Sequence, residues 1–208
     1  MIAAATAGTP PAQGAVVGDL QRRRRRGSRQ DFTAYVGMLV FLASWGMLFA
    51  GLLFAYAVVR SRSPGWPPPG APALPLLLPG LATGVLAGSS VAVDRALRAS
   101  APRGGAAAGG RLAMGAFLGT LFLGLQAVTW AQVHGAGLAP GDGIYGSVFY
   151  ALTAIHAAHV LVGLGALGVL AARAFGAGVT RLQVRLWGLY WHFVGAVWLL
   201  LYVTVYLV

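Results

Sequence analysis

The segment IHAAHVLVGLGALGVL, residues 155–170, is almost wholly apolar, yet it opens with two histidines, His156 and His159. It lies within an apolar run from about Tyr145 to Ala172, which exceeds the roughly 20 residues that a helix needs to cross a bilayer. The run therefore predicts a membrane-spanning helix. Two titratable rings in such a helix could be metal ligands, part of a proton relay, lipid anchors or polar contacts between helices.

The composition of the whole chain is that of an integral membrane protein. Of its 208 residues, 58% are hydrophobic and 9% are charged, and the mean hydropathy is +0.73. Because a soluble domain usually carries about a quarter charged residues, this sequence cannot coat a water-soluble surface. Cysteine is absent, which excludes disulfides, thiolate metal sites and thiol catalysis.

Apolar segments of sufficient length occur five times, and they predict an all-α integral membrane bundle of five transmembrane helices. Links rich in proline and glycine separate them, such as SRSPGWPPPG at 61–70 and HGAGLAPGDG at 134–143. The predicted spans are about Phe32–Val59, Leu74–Val93, Leu112–Val133, Tyr145–Ala172 and Leu186–Leu207.

The distribution of arginine predicts the orientation of the chain. All 15 basic residues are arginine: six precede the first span, four lie between the second and third, and three lie between the fourth and fifth. The opposite side holds Arg60 and Arg62. Since positive residues favour the cytoplasmic side, we expect a cytoplasmic N-terminus and an outside C-terminus. Topology thus explains the net charge of +11 without nucleic acid as a partner.

The chain is predicted to have two parts. Residues 1–30, which end in an arginine run, are expected to form a disordered basic tail, and residues 31–208 form the five-span membrane domain. A secretory signal peptide does not fit, because the apolar run that follows the arginines is too long.

Ionisable or amide side chains within the predicted spans are few. They are His156 and His159 on the fourth span, His192 on the fifth and Gln126 on the third, and such residues usually face protein. His156 and His159 share one helix face, because they are three residues apart. By helical rise, His159 and His192 each lie about 9 Å from the cytoplasmic face. We therefore expect these two to approach each other, directly or through a water or a lipid head group.

The residues alone leave several roles open for the histidines. Three neutral imidazoles can bind zinc or copper, and paired histidines can hold haem. One hypothesis is therefore a stand-alone membrane metalloenzyme that uses His156, His159 and His192. The other is polar packing, with hydrogen bonds between helices of about 0.6 kcal/mol each. A proton relay is disfavoured because relays use carboxylates, and the spans offer only Asp94, at the end of the second.

Trp45 lies deep in the first span, about 20 Å from its start by helical rise. Tryptophan prefers the membrane interface, so we expect Trp45 to pack against another helix or another subunit. The neighbouring Gly46 allows a close helix approach.

The last two spans carry motifs that resemble a known family. The segments YGSVFYALTAIHAAHVLVGLGAL (145–167) and LYWHFVGAVWLLLYVTVYL (189–207) are similar to subunit III of haem–copper cytochrome c oxidases, in the bacterial five-helix form. Weaker matches are GMLVFLAS, LGLQAVTW and the loop at Trp66, and the resemblance covers about residues 37–208. The matching residues are Thr153, His156, His159, Val160, Tyr190, Trp191, His192, Phe193, Val194, Val197 and Trp198.

The chain departs from the family at three positions. The family usually carries acids where this sequence has Trp45, Thr129 and Gly195. The resemblance implies that these acids support proton entry to the catalytic subunit, and their joint loss argues against that role here.

The resemblance implies a non-catalytic subunit of a respiratory terminal oxidase in the bacterial inner membrane. The complex would pass electrons from cytochrome c to oxygen and pump protons, with haem and copper in the partner subunit. The implied partners are catalytic subunit I, subunit II and a bound phospholipid, and the implied roles are assembly, lipid binding and stability. An accessory subunit of a quinol oxidase or a nitric oxide reductase is the close alternative.

On this interpretation no residue is catalytic and none binds a metal. The lipid-binding or interhelical polar cluster is expected to comprise His156, His159, His192, Trp191 and Tyr190. The candidates for the subunit interface are Trp45, Gly46, Gln126 and Trp198.

Overall fold

A computed structural model describes residues 13–100, 105–176 and 178–207. Of the residues that it describes, 85% are helical, and none of them lies in a strand. The helices are α1 (Gln13–Arg62), α2 (Leu77–Ala99), α3 (Gly105–Gly135), α4 (Gly143–Phe175) and α5 (Arg181–Leu201), which continues as a π-helical turn over Tyr202–Leu207. All five contain a stretch long and apolar enough to cross a membrane, which confirms the predicted all-α architecture.

The N-terminal helix starts much earlier than the predicted first span. It begins at Gln13, so that residues 13–30 of the predicted disordered tail are helical in the structure. Arginine is a good helix former, and no proline interrupts residues 13–62. Residues 1–12 of the predicted tail lie outside the described residues.

The second helix is displaced toward the C-terminus relative to the prediction of Leu74–Val93. It starts at Leu77 and keeps Pro79 in its first turn, where a missing N–H costs no helical hydrogen bond. It ends at Ala99, so Asp94 lies inside the helix and not at the end of a span.

The chain divides into two compact units, Met1–Val40 and Phe41–Val208. The described part of the first unit is the N-terminal portion of α1. In the second unit, α2 packs on both α3 and α5, and α4 also packs on both α3 and α5. These four helices therefore enclose one core.

Trp191 of α5 lies at the centre of this core and is fully buried. Two glycines make room for its indole. A Cβ atom on Gly119 of α3 would lie 2.6 Å from Trp191 Cη2, and one on Gly163 of α4 would lie 2.8 Å from Trp191 Cε3. Small residues at helix contacts let backbones approach closely, and here they admit the largest side chain of the neighbouring helix.

The start of α5 is fixed by a capping box. Thr180 Oγ1 accepts from the Gln183 backbone N–H at 3.2 Å, and Gln183 Oε1 accepts from the Thr180 backbone N–H at 3.1 Å. Two of the four otherwise unpaired donors at the helix start are thereby satisfied. The capping box therefore fixes where α5 begins, and so where along this helix Trp191 lies.

We predict that Gly119→Ala lowers the free energy of unfolding by about 1–3 kcal/mol, the usual cost of overpacking a core. The added methyl group would also meet Leu164 Cδ2 at 2.7 Å. The measurement is unfolding by SDS in mixed micelles, followed by tryptophan fluorescence. Gly124→Ala on the same helix is the matched control, because nothing lies within 4 Å of its added Cβ. Equal stability of the two variants would contradict the tight packing at Trp191.

Candidate functional site: the histidine–aromatic cluster

Aromatic side chains of α5 form hydrogen bonds to neighbouring helices of the core. Trp191 Nε1 donates to Ser89 Oγ on α2 at 3.0 Å, and Ser89 Oγ donates to the Gly115 carbonyl on α3 at 2.7 Å. This chain of bonds is buried and joins three helices. Every polar atom of Trp191 is thus satisfied within the core, as a membrane interior requires.

Tyr190 and Trp198 extend this pattern toward both neighbours of α5. Tyr190 Oη donates to the His159 carbonyl on α4 at 3.0 Å, and Trp198 Nε1 donates to Thr83 Oγ1 on α2 at 2.9 Å. Tyr190 and Trp198 are 2% and 1% exposed. The predicted candidates Tyr190 and Trp191 therefore lie inside the bundle and join helices to each other.

His156 is buried among aromatic rings. Its ring centroid lies 5.3 Å from that of Trp198, 6.0 Å from that of Phe122 and 6.3 Å from that of Phe49. Neither ring nitrogen has a hydrogen-bond partner in the protein. The expected hydrogen bonds from this histidine to another helix are therefore not formed, and the ring is held by packing.

His159 is also buried and faces α1. Its ring lies edge-on to Trp45, with centroids 4.0 Å apart, and 5.1 Å from Phe49. Its Nδ1 pairs with the Ile155 carbonyl of its own helix at 2.6 Å, and its Nε2 has no partner in the protein. Trp45 was expected to pack against another helix or another subunit, and it packs against another helix of the same chain. We name the set of rings around His156 and His159 the histidine–aromatic cluster: Trp45, Phe49, Phe122, His156, His159 and Trp198.

His192 has a partner that the sequence did not indicate. Its Nε2 lies 3.0 Å from Asp94 Oδ1 on α2, and both side chains are partly exposed. The expected approach of His159 to His192 is not a direct contact, because His159 turns to α1 and His192 turns to α2. Depth along a helix carries no information on the direction in which a side chain faces.

Two of the four interface candidates lie in the interior. Gln126 and Trp198 are each 1% exposed, and Gln126 Nε2 donates to Tyr206 Oη at 3.3 Å. They cannot contact another subunit from these positions, so their assignment to the interface is corrected. Gly46 packs near Phe193, with 3.8 Å from an added Cβ to Phe193 Cε2, and both Gly46 and Trp45 remain partly exposed.

A metal site built from the three histidines does not form. Within residues 13–100, 105–176 and 178–207, no three side chains of His, Asp or Glu are grouped as a metal ion would need. The surroundings of His156 agree, since neither ring nitrogen has a hydrogen-bond partner in the protein and the ring lies among aromatic rings. The contacts that the cluster forms within the protein are ring packing, with Trp198 also donating a hydrogen bond to Thr83 on α2.

Comparison with known proteins gives matches over most of the chain. A family model described as cytochrome c oxidase subunit III matches residues 26–208. The chain is 34% identical over 175 residues to cytochrome c oxidase subunit 3 of Synechocystis sp., which covers 82% of this chain and 74% of the relative. It is 33% and 34% identical over 181 residues to the proteins of that name from Struthio camelus and Oryctolagus cuniculus, covering 82% of this chain and 67% of each.

We predict that His156→Phe changes the free energy of unfolding by less than about 1.5 kcal/mol, as similar-volume core substitutions do. The physical reason is that the imidazole is held by ring contacts and its nitrogens bond no protein group. His156→Ala, the paired variant, should lose about 2–4 kcal/mol through the cavity that it leaves. Both are measured by SDS unfolding in mixed micelles. If Phe were as damaging as Ala, the imidazole nitrogens would have a role that packing does not explain.

Proposed function

The chain belongs to the cytochrome c oxidase subunit III family, and from this premise we propose that it is the non-catalytic third subunit of a respiratory oxidase that passes electrons from cytochrome c to oxygen. Membership of the family supports an accessory subunit of a haem–copper oxidase in a complex with catalytic subunits. Cytochrome c as the donor, proton pumping by the complex, and subunits I and II as the specific partners are parts of the proposal. The match over residues 26–208 is the observation that carries it.

The proposed contribution of this subunit is assembly and stability of the catalytic subunit. In the core, α5 is bonded to α2 and α4, and α2 is bonded to α3. A rigid bundle of this kind presents a fixed membrane-facing surface to a partner. Trp45 and Gly46 remain the interface candidates, since both are partly exposed on α1.

Direct delivery of protons is not part of the proposal. At the three positions where the family usually has acids, the structure has groups that do not titrate. Trp45 packs on His159, Thr129 donates to the Leu125 carbonyl of its own helix at 2.9 Å, and Gly195 lies beside Ser90. Without a carboxylate at these positions, this chain has no proton carrier there for the complex to use.

Phospholipid binding is the third part of the proposal. Of the five residues predicted for a lipid-binding or polar cluster, four are buried in the bundle. His192 is the partly exposed one, with 37% of its side chain accessible. We therefore assign the lipid contact to His192 and the interhelical contacts to His156, His159, Tyr190 and Trp191.

Two alternatives remain to be separated by experiment. A quinol oxidase or a nitric oxide reductase could carry a related accessory subunit; the curated relatives named above are all called cytochrome c oxidase subunit 3, which favours cytochrome c as the donor. The stand-alone metalloenzyme is disfavoured, because His192 pairs with Asp94 on α2, while His156 and His159 lie among the rings of the histidine–aromatic cluster.

We expect the tagged chain, purified from its own membranes in mild detergent, to carry a large many-span partner and the visible bands of a-type haem. The readouts are the absorption spectrum, mass spectrometry of the co-purified subunits and oxygen consumption with reduced cytochrome c. Oxygen consumption with quinol, but not with reduced cytochrome c, would identify quinol as the electron donor. A colourless single chain with a stoichiometric transition metal would overturn the proposal.

The orientation of the chain, with a cytoplasmic N-terminus and an outside C-terminus, is proposed from the arginine distribution. The absence of cysteine makes it directly testable. In intact cells, a membrane-impermeant maleimide should label Ala136→Cys, between α3 and α4, and should leave Val179→Cys, between α4 and α5, unlabelled. Lysed cells serve as the control in which both react. The reverse pattern in intact cells would invert the topology.

A further inference from the structure

A cavity at the end of α1 shares no residue with the histidine–aromatic cluster. It encloses about 550 Å³, which is within the range of about 300–1,000 Å³ that ligand pockets occupy. Its lining comes from three parts of the chain: Leu53, Tyr56 and Ala57 on α1, Trp66 in the loop after α1, and Thr204 in the C-terminal π-helical turn. In the proposed orientation this end of the bundle lies outside, and we name the cavity the outer cavity.

The wall of the outer cavity is fixed by contacts within the chain. The ring centroid of Trp66 lies 5.6 Å from that of Tyr56 and 5.0 Å from that of Tyr145 on α4, with interplanar angles of 79° and 80°. Tyr56 Oη donates to the Thr204 carbonyl at 3.1 Å. The cavity is therefore formed before a partner binds, which lowers the conformational cost of binding.

The outer cavity extends past the end of the apolar run of α1. That run ends at Val59, and the next residues that line the cavity are Arg60, Ser61 and Ser63. Acyl chains lie within the hydrocarbon core, whereas this rim lies where the apolar residues have ended. A polypeptide segment can approach the rim from the aqueous side.

The rim carries a positive charge on the side where arginine is scarce. Of the 15 arginines, the predicted topology places only Arg60 and Arg62 outside. Both lie in the last turn of α1, where the helix dipole stabilises a positive charge. Arg60 lines the cavity and Arg62 does not. A guanidinium beside an apolar cavity is complementary to a carboxylate beside an apolar side chain.

The two serines at the rim have oxygens that can accept hydrogen bonds. Ser61 Oγ donates to the Val58 carbonyl at 3.0 Å, and Ser63 Oγ donates to the Val59 carbonyl at 2.9 Å. Because a hydroxyl has one hydrogen and two lone pairs, both oxygens keep the capacity to accept from a partner. The backbone N–H groups of a polypeptide are such donors, and an acyl chain has none.

The outer cavity shares a helix face with an interface candidate. Leu53, Ala57 and Arg60 follow Gly46 by seven, eleven and fourteen residues, and this spacing places all four on one side of α1. A partner that packs along α1 at Gly46 can therefore also reach the cavity.

We propose that the outer cavity binds a segment of another subunit of the complex, which inserts a large apolar side chain and places an aspartate or a glutamate against Arg60. Backbone N–H groups of that segment donate to Ser61 and Ser63. This inference rests on the proposed function, which supplies the complex, and adds a contact on the outer side together with the chemistry of the partner segment.

The test uses the assembled complex, purified in mild detergent, with p-benzoylphenylalanine in place of Ser61, which is exposed at the rim. On irradiation we expect a cross-link to a peptide of another subunit that carries an aspartate or a glutamate close to the cross-linked residue. Ala57→Trp fills the cavity and should lower the yield of this cross-link about tenfold, which corresponds to about 1.4 kcal/mol. Ala55→Trp is the matched control, since Ala55 is also exposed on α1 and does not line the cavity.

The charge of the partner segment is tested by variants of the two outer arginines. Arg60→Gln should lower the yield of the cross-link about threefold, the effect of losing one partly exposed ion pair. Arg60→Lys keeps the positive charge and should restore the yield, which separates the charge from a structural role of the guanidinium. Arg62→Gln is the matched control, because Arg62 lies in the same helical turn and does not line the cavity. An unchanged yield in Arg60→Gln would overturn the carboxylate assignment.

Failure of the docking site and failure of the proposed function are distinguishable in the same sample. An intact complex with haem bands whose residue 61 cross-links only to lipid, or with equal yield in Ala57→Trp, would overturn the docking site while the oxidase proposal stands. A cross-linked peptide with no acidic residue near the cross-link would overturn the stated chemistry of the partner. A chain that purifies without any haem partner would overturn the proposed function and the docking site with it.

Discussion

The placement of one indole, that of Trp191, is the constraint on which the rest of the bundle depends. Its ring fits only because Gly119 and Gly163 leave no side chain in its place, and its N–H bonds Ser89 on a third helix. In a bilayer no water is present to satisfy a polar atom that loses its partner. The packing of Trp191 therefore constrains how closely α2, α3, α4 and α5 approach one another.

Because buried polar atoms in a bilayer need partners, the polar groups of the described interior are ones that can be satisfied without a charge. The tyrosine and tryptophans of α5 donate to backbone or hydroxyl oxygens, and His156 is surrounded by aromatic rings. The tyrosine and the tryptophans thereby join α5 to its neighbouring helices. Trp45, Thr129 and Gly195 likewise bring no carboxylate to the bundle.

A pair of ionisable groups lies instead at the partly exposed surface between α2 and α5. Asp94 on α2 and His192 on α5 form this pair, with Oδ1 of Asp94 3.0 Å from Nε2 of His192. Hydrogen bonds and ring contacts thus join the helices of the core, while the Asp94–His192 pair lies at the surface of the bundle.

The sequence alone determined the number of spans, the all-α class and the family, because bilayer thickness sets the length of an apolar run and motifs such as YWHFV are specific. It also placed His156 and His159 on one face, since helical spacing is fixed.

Only the tertiary structure decided which groups meet. The pairing of Asp94 with His192 was missed because hydropathy marks where apolar residues end, while the helix continues to Ala99. Facing directions depend on how helices pack around Trp191, and no local pattern encodes that.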